Sequence, residues 1–406
     1  MASAMGVGLT PSQNLTPIAG PSLPAARLLV GAKMLRQEAP KLPPAQVRPT
    51  MNVNDRTSAF CDRFGLRVPI LLAPMAGASA PALSIAVANA GGLGACGALL
   101  MTPAEIVAWA NEVRAVSNGR FQINLWIPDP APVRNADHET QVREFLATWG
   151  PTVSPNAGDA TPPDFGGQCE ALLDAHPPIV SSVMGLYPPP FVARLKSLGI
   201  SWFANTSTVA EAKAAEAAGA DAIVAQGMEA GGHRGCFDES KAERDMVGLM
   251  SLVPAVVDAV SIPVVATGGI ADGRGVAAAM ALGASAVQVG TGFLRAPDAQ
   301  IHAAWADALA SAAPEDTLVS RVFSGRAGRS LATDYVRAAI SNAAPQPAPY
   351  PVQRGLTAPM RAAATKAGDV RRMQVWAGQS AGLARAESAQ SILVRLWEDA
   401  VQILRY

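Results

Sequence analysis

This sequence of 406 residues contains only four cysteines and four histidines and has no excess of either charge. These features exclude several classes of protein. The four cysteines lie far apart and form no CxxC pair, which argues against a disulfide-rich secreted scaffold and the common structural zinc sites. The 32 basic side chains balance the 32 acidic ones, so the chain lacks the positive charge that marks a nucleic-acid binder. We therefore expect neither a metal site nor a nucleic-acid partner.

Membrane spans are not predicted either, although the sequence contains two long uncharged runs, at residues 68–104 and 275–294. Prolines and glycines interrupt both runs, so each is typical of short buried strands and helices joined by turns. Half of the residues are hydrophobic and only 16% are charged, which predicts a large buried core. We expect a protein without a membrane partner.

The first 50 residues differ from the rest, because they contain eight prolines and a single acidic residue, Glu38. They lack the apolar core and small-residue cleavage site of a secretory signal. We expect residues 1–50 to be a disordered extension, or a segment that precedes the true start at Met51, and we expect the protein to be cytoplasmic.

Beyond residue 67, short apolar strands alternate with helices. Strands are predicted at residues 68–73, 93–98, 121–125, 179–184, 200–205, 222–226, 263–267 and 284–289. Helices are predicted between them at residues 81–90, 103–116, 138–148, 190–198, 208–218, 248–260 and 273–282. This alternation indicates an α/β fold, a (β/α)8 TIM barrel. An open doubly wound sheet is the alternative, although no GxGxxG motif opens its first helix.

The alternation also predicts how the chain is organised. We assign residues 51–300 to the barrel, with a proline-rich insertion around residues 126–178. Residues 301–406 are more than a barrel needs, and their alanine-rich stretches predict the last barrel helix plus a helical cap over the active-site face.

Glycine-rich segments follow the two last strands, where barrels of this kind bind phosphate. Gly268-Gly269 follows the seventh strand and Gly290-Thr291 the eighth. Glycines let backbone N–H groups approach phosphate oxygens, and the Thr291 hydroxyl adds one donor. The alternative is that these glycines only form tight turns. Their occurrence in both places favours a phosphate-bearing ligand.

Four other side chains near strand ends are candidates for chemistry. His233 lies in the glycine-rich loop after the sixth strand, and an imidazole that titrates near neutral pH suits proton abstraction; the alternative is that it only orients the loop. Asn124 and Gln226 end strands as amides, which hydrogen-bond either a heterocycle or a neighbouring loop. Met75 is either core packing or a thioether against a flat ring.

Together these motifs resemble the nitronate monooxygenase family, formerly called 2-nitropropane dioxygenases. The matching segments are Ala73-Pro74-Met75-Ala76-Gly77, Asn124, the loop from Gln226 to Gly235, Gly268-Gly269-Ile270, Gln288-x-Gly290-Thr291 and, near the C-terminus, Trp376 to Gly382. The resemblance covers roughly residues 60–390, and its most specific part is the Glu-Ala-Gly-Gly-His sequence that ends at His233.

The resemblance implies an FMN enzyme that oxidises alkyl nitronates, and nitroalkanes as well, with O2 to carbonyl compounds and nitrite. It implies that Ala73, Pro74, Met75 and Asn124 line the flavin ring, that Gln226 and Gly231 contact the flavin, and that Gly268, Gly269, Gln288, Val289, Gly290 and Thr291 hold the ribityl phosphate. His233 is then the catalytic base above the flavin.

Two rival functions fit the same barrel. One is an FMN-dependent NAD(P)H reductase of quinones or enoyl-thioesters, because related enzymes share a similar Gly-Gly-His loop. The other is a barrel that binds a phosphorylated metabolite without redox chemistry. Nothing in the sequence indicates an oligomeric state.

Overall fold

A computed structural model of the protein describes residues 52–159 and 161–405. The predictions made for residues 1–50 concern a segment that lies outside the described residues.

Eight parallel strands form the inner wall of a barrel. Along the chain the first nine strands, of which all but β7 belong to the barrel, are β1 (Ile70–Leu72), β2 (Gly94–Gly97), β3 (Phe121–Trp126), β4 (Ile179–Val183), β5 (Ser201–Thr206), β6 (Ala222–Gln226), β7 (Gly232–His233), β8 (Val264–Thr267) and β9 (Ala286–Val289). All except β7 lie side by side in the order β1-β9-β8-β6-β5-β4-β3-β2. A parallel bridge between Leu71 and Leu93 closes the ring. The predicted (β/α)8 barrel is therefore confirmed.

The barrel strands are buried on both faces, which explains their short apolar runs in the sequence. Every residue of β1, β6, β8 and β9 is buried. Inward side chains fill the barrel while outward ones are covered by helices, so neither face needs polar residues.

Fourteen α-helices lie in the described part of the chain. The first nine are α1 (Val53–Phe64), α2 (Pro81–Asn89), α3 (Pro103–Val116), α4 (Ala136–Ala147), α5 (Phe165–Ala175), α6 (Pro189–Ser197), α7 (Val209–Ala217), α8 (Leu249–Ala259) and α9 (Gly273–Ala281). After β9 come α10 (Ala303–Ala310), α11 (Asp334–Ala339), α12 (Val352–Leu356), α13 (Ala358–Ala367) and α14 (Ala389–Leu404), with strands β10 (Thr317–Ser320) and β11 (Gly328–Leu331) between α10 and α11. None of the helices described is long and apolar enough to span a bilayer.

The insertion after β3 contains two helices, of which the second belongs to the barrel. The helix predicted at residues 138–148 is present as α4, but its buried residues pack with cap residues such as Leu356 and Met360. The helix that lies between α3 and α6 on the barrel is instead α5. The sequence does not predict α5, because the proline-rich passage before it indicates only irregular structure.

The cap is inserted between the last strand and the last helix of the barrel. Helix α14 packs between α9 and α2 and thereby fills the place of the eighth barrel helix. The segment from residue 295 to residue 388 covers the carboxyl ends of the strands. It is not purely helical, because β10, β11 and β7 form a second, antiparallel sheet.

Helix α1, which was not predicted, covers the opposite end of the barrel. Its Phe60 and Phe64 rings contact Phe203, with ring centroids 6.2 and 4.8 Å away. The same cluster contains Ile179 and Ala222, the first residues of their strands. The amino ends of the strands are therefore sealed, and the open end of the barrel is the one under the cap.

Candidate active site

A cavity of about 350 Å³ lies between the carboxyl ends of the strands and the cap. Its volume falls within the range of roughly 300–1,000 Å³ that is usual for small-molecule sites. The predicted site residues that line it are Ala73, Pro74, Met75, Asn124, Gln226, Gly231, His233, Gly268, Gly269, Gln288, Gly290 and Thr291. The structure thus brings together residues from five of the eight barrel strands or the loops after them.

Val289 is the one predicted residue that does not line the cavity. Its side chain is completely buried in the hydrophobic core beneath the loops. Its carbonyl oxygen accepts a hydrogen bond from the N–H of Ala73 at 2.9 Å. Val289 therefore holds the loop after β1 in place, and its side chain is not available to a ligand.

Unpaired backbone donors converge where β8 and β9 end. The N–H groups of Gly268, Gly269 and Gly290 donate to no other residue of the described chain. Gly268 and Gly269 adopt positive φ angles of 117° and 67°, which side chains on an L-residue rarely tolerate. This donor set suits a phosphate group.

The C-terminal segment from Trp376 to Ser380 crosses the cavity at the same place. The N–H of Gly378 donates to the Thr291 hydroxyl at 3.0 Å, and the Ser380 hydroxyl donates to the carbonyl of Gly269. A Cβ added to Gly231 would lie 2.5 Å from the nitrogen of Gly378. Gly231 is thus required by the close approach of this segment.

The loop that carries His233 is held as a short strand. Gly232 and His233 form β7, which pairs antiparallel with β11. The Gln226 side chain donates to the carbonyl of His233 at 3.1 Å and accepts from the N–H of Gly235 at 2.8 Å. The Gln226 amide thus holds the loop that carries His233, and Gln226 also lines the cavity.

The His233 ring is enclosed by aromatic side chains. The centroids of Trp126 and Trp376 each lie 4.8 Å from the centroid of the imidazole. The Nε2 atom lies 2.8 Å from the hydroxyl oxygen of Ser324. Burial, aided by the positive charges of three arginines, Arg326, Arg354 and Arg361, lowers the pKa of His233 to about 3. The imidazole is therefore neutral near neutral pH.

Amide side chains form the polar floor of the cavity. Asn124 donates to the Ser181 hydroxyl at 3.1 Å, so its carbonyl oxygen stays free to accept. The Gln288 carbonyl oxygen accepts from Gln122 at 3.0 Å, which leaves the NH2 group of Gln288 for a ligand. Asn205 also lines the cavity, and its buried NH2 group has no partner in the described structure.

Several cavity residues escaped the sequence reasoning. Asn205 ends the fifth predicted strand just as Asn124 ends the third, so the same criterion would have found it. Trp126 ends β3, two residues after Asn124, and Trp376 lies in a segment that the resemblance covers, although neither was assigned a role. Ser324, Arg354, Arg361 and Gln374 come from distant segments and carry no such signal.

Metal-ligating side chains do not cluster within the described ranges. No three histidine, cysteine or acidic side chains come close enough together to hold a metal ion there. Burial raises the pKa of the Cys96 thiol to about 12 and also raises that of Cys236.

Comparison with known proteins places this geometry in a family. The sequence profile of nitronate monooxygenase matches residues 58–399. The chain belongs to the nitronate monooxygenase family. A "Probable nitronate monooxygenase" of Staphylococcus aureus (strain Newman) is 34% identical over 349 residues, which are 84% of this chain and 97% of the relative.

Solved structures agree with this membership. A nitroalkane oxidase from Streptomyces ansochromogenes superimposes with a TM-score of 0.77 at 36% identity, covering 85% of this chain and 98% of its own. FabK from Thermotoga maritima superimposes with a TM-score of 0.66 at 28% identity, covering 85% and 96%. The chain is therefore an oxidoreductase, and its relatives support a nitronate-oxidising enzyme.

Proposed function

We propose that the chain is an FMN-dependent nitronate monooxygenase that oxidises alkyl nitronates, and neutral nitroalkanes, with O2 to carbonyl compounds and nitrite. The observation that carries the proposal is a single cavity that joins a set of unpaired N–H donors to an enclosed, neutral histidine. The first feature suits the phosphate of a flavin nucleotide, and the second suits a substrate with an acidic C–H bond.

The donor set of the cavity fits FMN. The N–H groups of Gly268, Gly269 and Gly290 and the Thr291 hydroxyl would hold the phosphate. The flavin ring offers both donors and acceptors, which match the free oxygen of Asn124 and the NH2 groups of Gln288 and Asn205. Ala73, Pro74 and Met75 supply the apolar wall. Gln226 and Gly231, for which the resemblance implied flavin contacts, would act by shaping the loop.

When bound, FMN would accept electrons from the nitronate and pass them to O2. The protein would supply proton handling. The Ser324 hydroxyl donates to the carbonyl of Arg326, so it presents a lone pair to Nε2 of His233. With Nε2 protonated, Nδ1 is the nitrogen left to take a proton from the α-carbon of a nitroalkane.

Burial and the three arginines oppose a positive charge on His233. The nitronate that forms as the proton moves is negative, and its charge stabilises the imidazolium beside it. Proton transfer is therefore favoured only with an acidic substrate in place. Trp126 and Trp376 flank the ring with apolar surface, and a less polar environment strengthens this electrostatic coupling.

Oxygen uptake and nitrite release test the proposal. Purified protein is given ethyl nitronate in air, without and with NADH. We expect O2 consumption and nitrite formation without NADH. Turnover that requires NADH and a quinone or enoyl-thioester would replace the proposal with the reductase. Protein that is colourless and takes up no FMN would favour the barrel that binds a phosphorylated metabolite.

A further inference from the structure

Two arginines on the cap line the cavity without an acidic partner. Arg354 lies on α12 and Arg361 on α13. Neither forms an ion pair in the described structure, and the guanidinium of Arg354 makes no hydrogen bond there. The guanidinium of Arg361 donates only to uncharged oxygens, those of Thr357, Gln374 and the Arg354 backbone. Two positive charges thus face the cavity uncompensated.

The positive charge of each of the two guanidinium groups repels positive charge on the other and on His233. Burial lowers the pKa of Arg361 to about 10, and the charge of Arg354 contributes to this shift. Both arginines also contribute to the lowered pKa of His233. Like charges that share a partly buried site are unfavourable unless an anion lies near them.

The cap holds these arginines over the cavity in a fixed arrangement. The Gln353 side chain donates to the carbonyl of Val322 at 2.8 Å, and the Thr357 hydroxyl donates to that of Phe323 at 2.6 Å. The next residue, Ser324, contacts His233. One short segment therefore positions both the histidine and the helices that carry the arginines.

We propose that Arg354 and Arg361 form an anion subsite that binds a planar, two-oxygen anion of the substrate. That anion is either the nitronate group itself or a carboxylate elsewhere on the same molecule, since a guanidinium pairs with both in the same way. The inference rests on the proposed function and deepens it, because it assigns the residues that select negatively charged substrates.

Substitution of Arg354 tests the subsite, because Arg361 also holds the cap together. Arg354→Met removes the charge, Arg354→Lys keeps it, and Lys366→Ala removes an exposed charge of α13 as the matched control. KM and kcat are measured with ethyl nitronate and with propionate 3-nitronate, and flavin content is measured in each variant.

We expect Arg354→Met to raise KM by roughly tenfold to a hundredfold, the range expected for one charge-assisted hydrogen bond. Arg354→Lys should recover part of the loss, and Lys366→Ala should behave like the parent.

The two substrates distinguish the two sources of the anion. A raised KM for both places the nitronate group between the arginines, and a raised KM for propionate 3-nitronate alone places the carboxylate there. An unchanged KM for both, or loss of flavin from Arg354→Met, would overturn the subsite.

A binding measurement separates this proposal from the proposed function. Nitrate and propionate, which are inert planar anions, are titrated calorimetrically into the flavin-loaded parent and into Arg354→Met. Weaker binding to the variant supports the subsite even if the parent oxidises no nitronate. Equal binding to both proteins, or none to the parent, would contradict it.

Discussion

At the scale of single residues, the neutral state of His233 determines what the site can do. An imidazole enclosed by Trp126 and Trp376 and bordered by arginines resists protonation. It can accept a substrate proton only when a negative charge forms beside it.

Replacing His233 by alanine should separate the two kinds of substrate. We expect His233→Ala to lower kcat/KM for neutral nitroethane by about 10²- to 10⁴-fold, the usual contribution of a general base. Preformed ethyl nitronate should lose less, because its proton is already gone. Initial rates of nitrite release measure both, with bound flavin quantified alongside. Ser324→Ala, which keeps the imidazole, should have a smaller effect. Undiminished turnover of nitroethane would remove the base assignment.

The lowered pKa of His233 also predicts acid sensitivity. The imidazole titrates near its ordinary pKa of about 6.5 in the unfolded chain and at about 3 in the folded one. Between these values the unfolded chain binds more protons, so the free energy of unfolding falls as pH falls from about 6.5 to about 3. Thermal unfolding from pH 7 to pH 4 measures this loss. His233→Gln should lose less stability over that range; equal slopes would show that His233 is not responsible.

The residues that surround His233 differ in how far the sequence predicts them. Gly268, Gly269, Gly290 and Thr291 follow directly from strand ends, because the loop after a barrel strand always opens at the same face. Ser324 and Trp376 reach His233 from segments about 90 and 140 residues further along the chain. Their approach depends on the packing of the cap, for which no local pattern exists.

At the scale of elements, the alternation of apolar segments and the positions of prolines predicted most of the barrel. Apolar runs marked the strands, and prolines at first turns marked helices such as α2 and α3. Two features escaped this reasoning. Strand β7 is only two residues long, and pairing with β11 rather than its own sequence makes it a strand. Helix α14 completes the barrel from the far side of the cap, an order that hydrophobic pattern cannot reveal.

The role of α14 as a barrel helix can be tested by comparing substitutions at two adjacent residues, one buried and one exposed. Leu393 is fully buried, whereas Val394 is 39% exposed. We expect Leu393→Ala to lower the free energy of unfolding by about 2–5 kcal/mol, because it leaves a cavity in the core. Val394→Ala should change it by less than about 0.5 kcal/mol. Denaturant unfolding measures both; equal small effects would mean that α14 does not pack on the barrel.

At the scale of the whole molecule, an ion pair joins the barrel insertion to the cap. Asp129 follows β3, and both its carboxylate oxygens lie 2.8 Å from Nη1 of Arg326 in the cap. The Arg326 side chain is only 2% exposed. The pair therefore links the segment that carries Trp126 to the one that carries Ser324, on either side of His233.

Breaking this pair should cost far more than breaking a surface pair. Asp129→Asn leaves the buried guanidinium without its counter-charge, which we expect to lower the free energy of unfolding by about 3–5 kcal/mol. Glu170→Gln, which breaks the exposed pair with Arg194, should cost far less, because water screens both of its partners. Chemical denaturation compares the two. Similar small losses would show that the ion pair does not hold the cap in place.

The anaerobic visible spectrum of the purified protein, before and after addition of propionate 3-nitronate, tests the central claim most directly. The account predicts an oxidised flavin spectrum whose main absorption decreases when the nitronate is added, with no nicotinamide present. A flavin spectrum that ignores the nitronate but is bleached by NADH would contradict it and identify the barrel as a reductase.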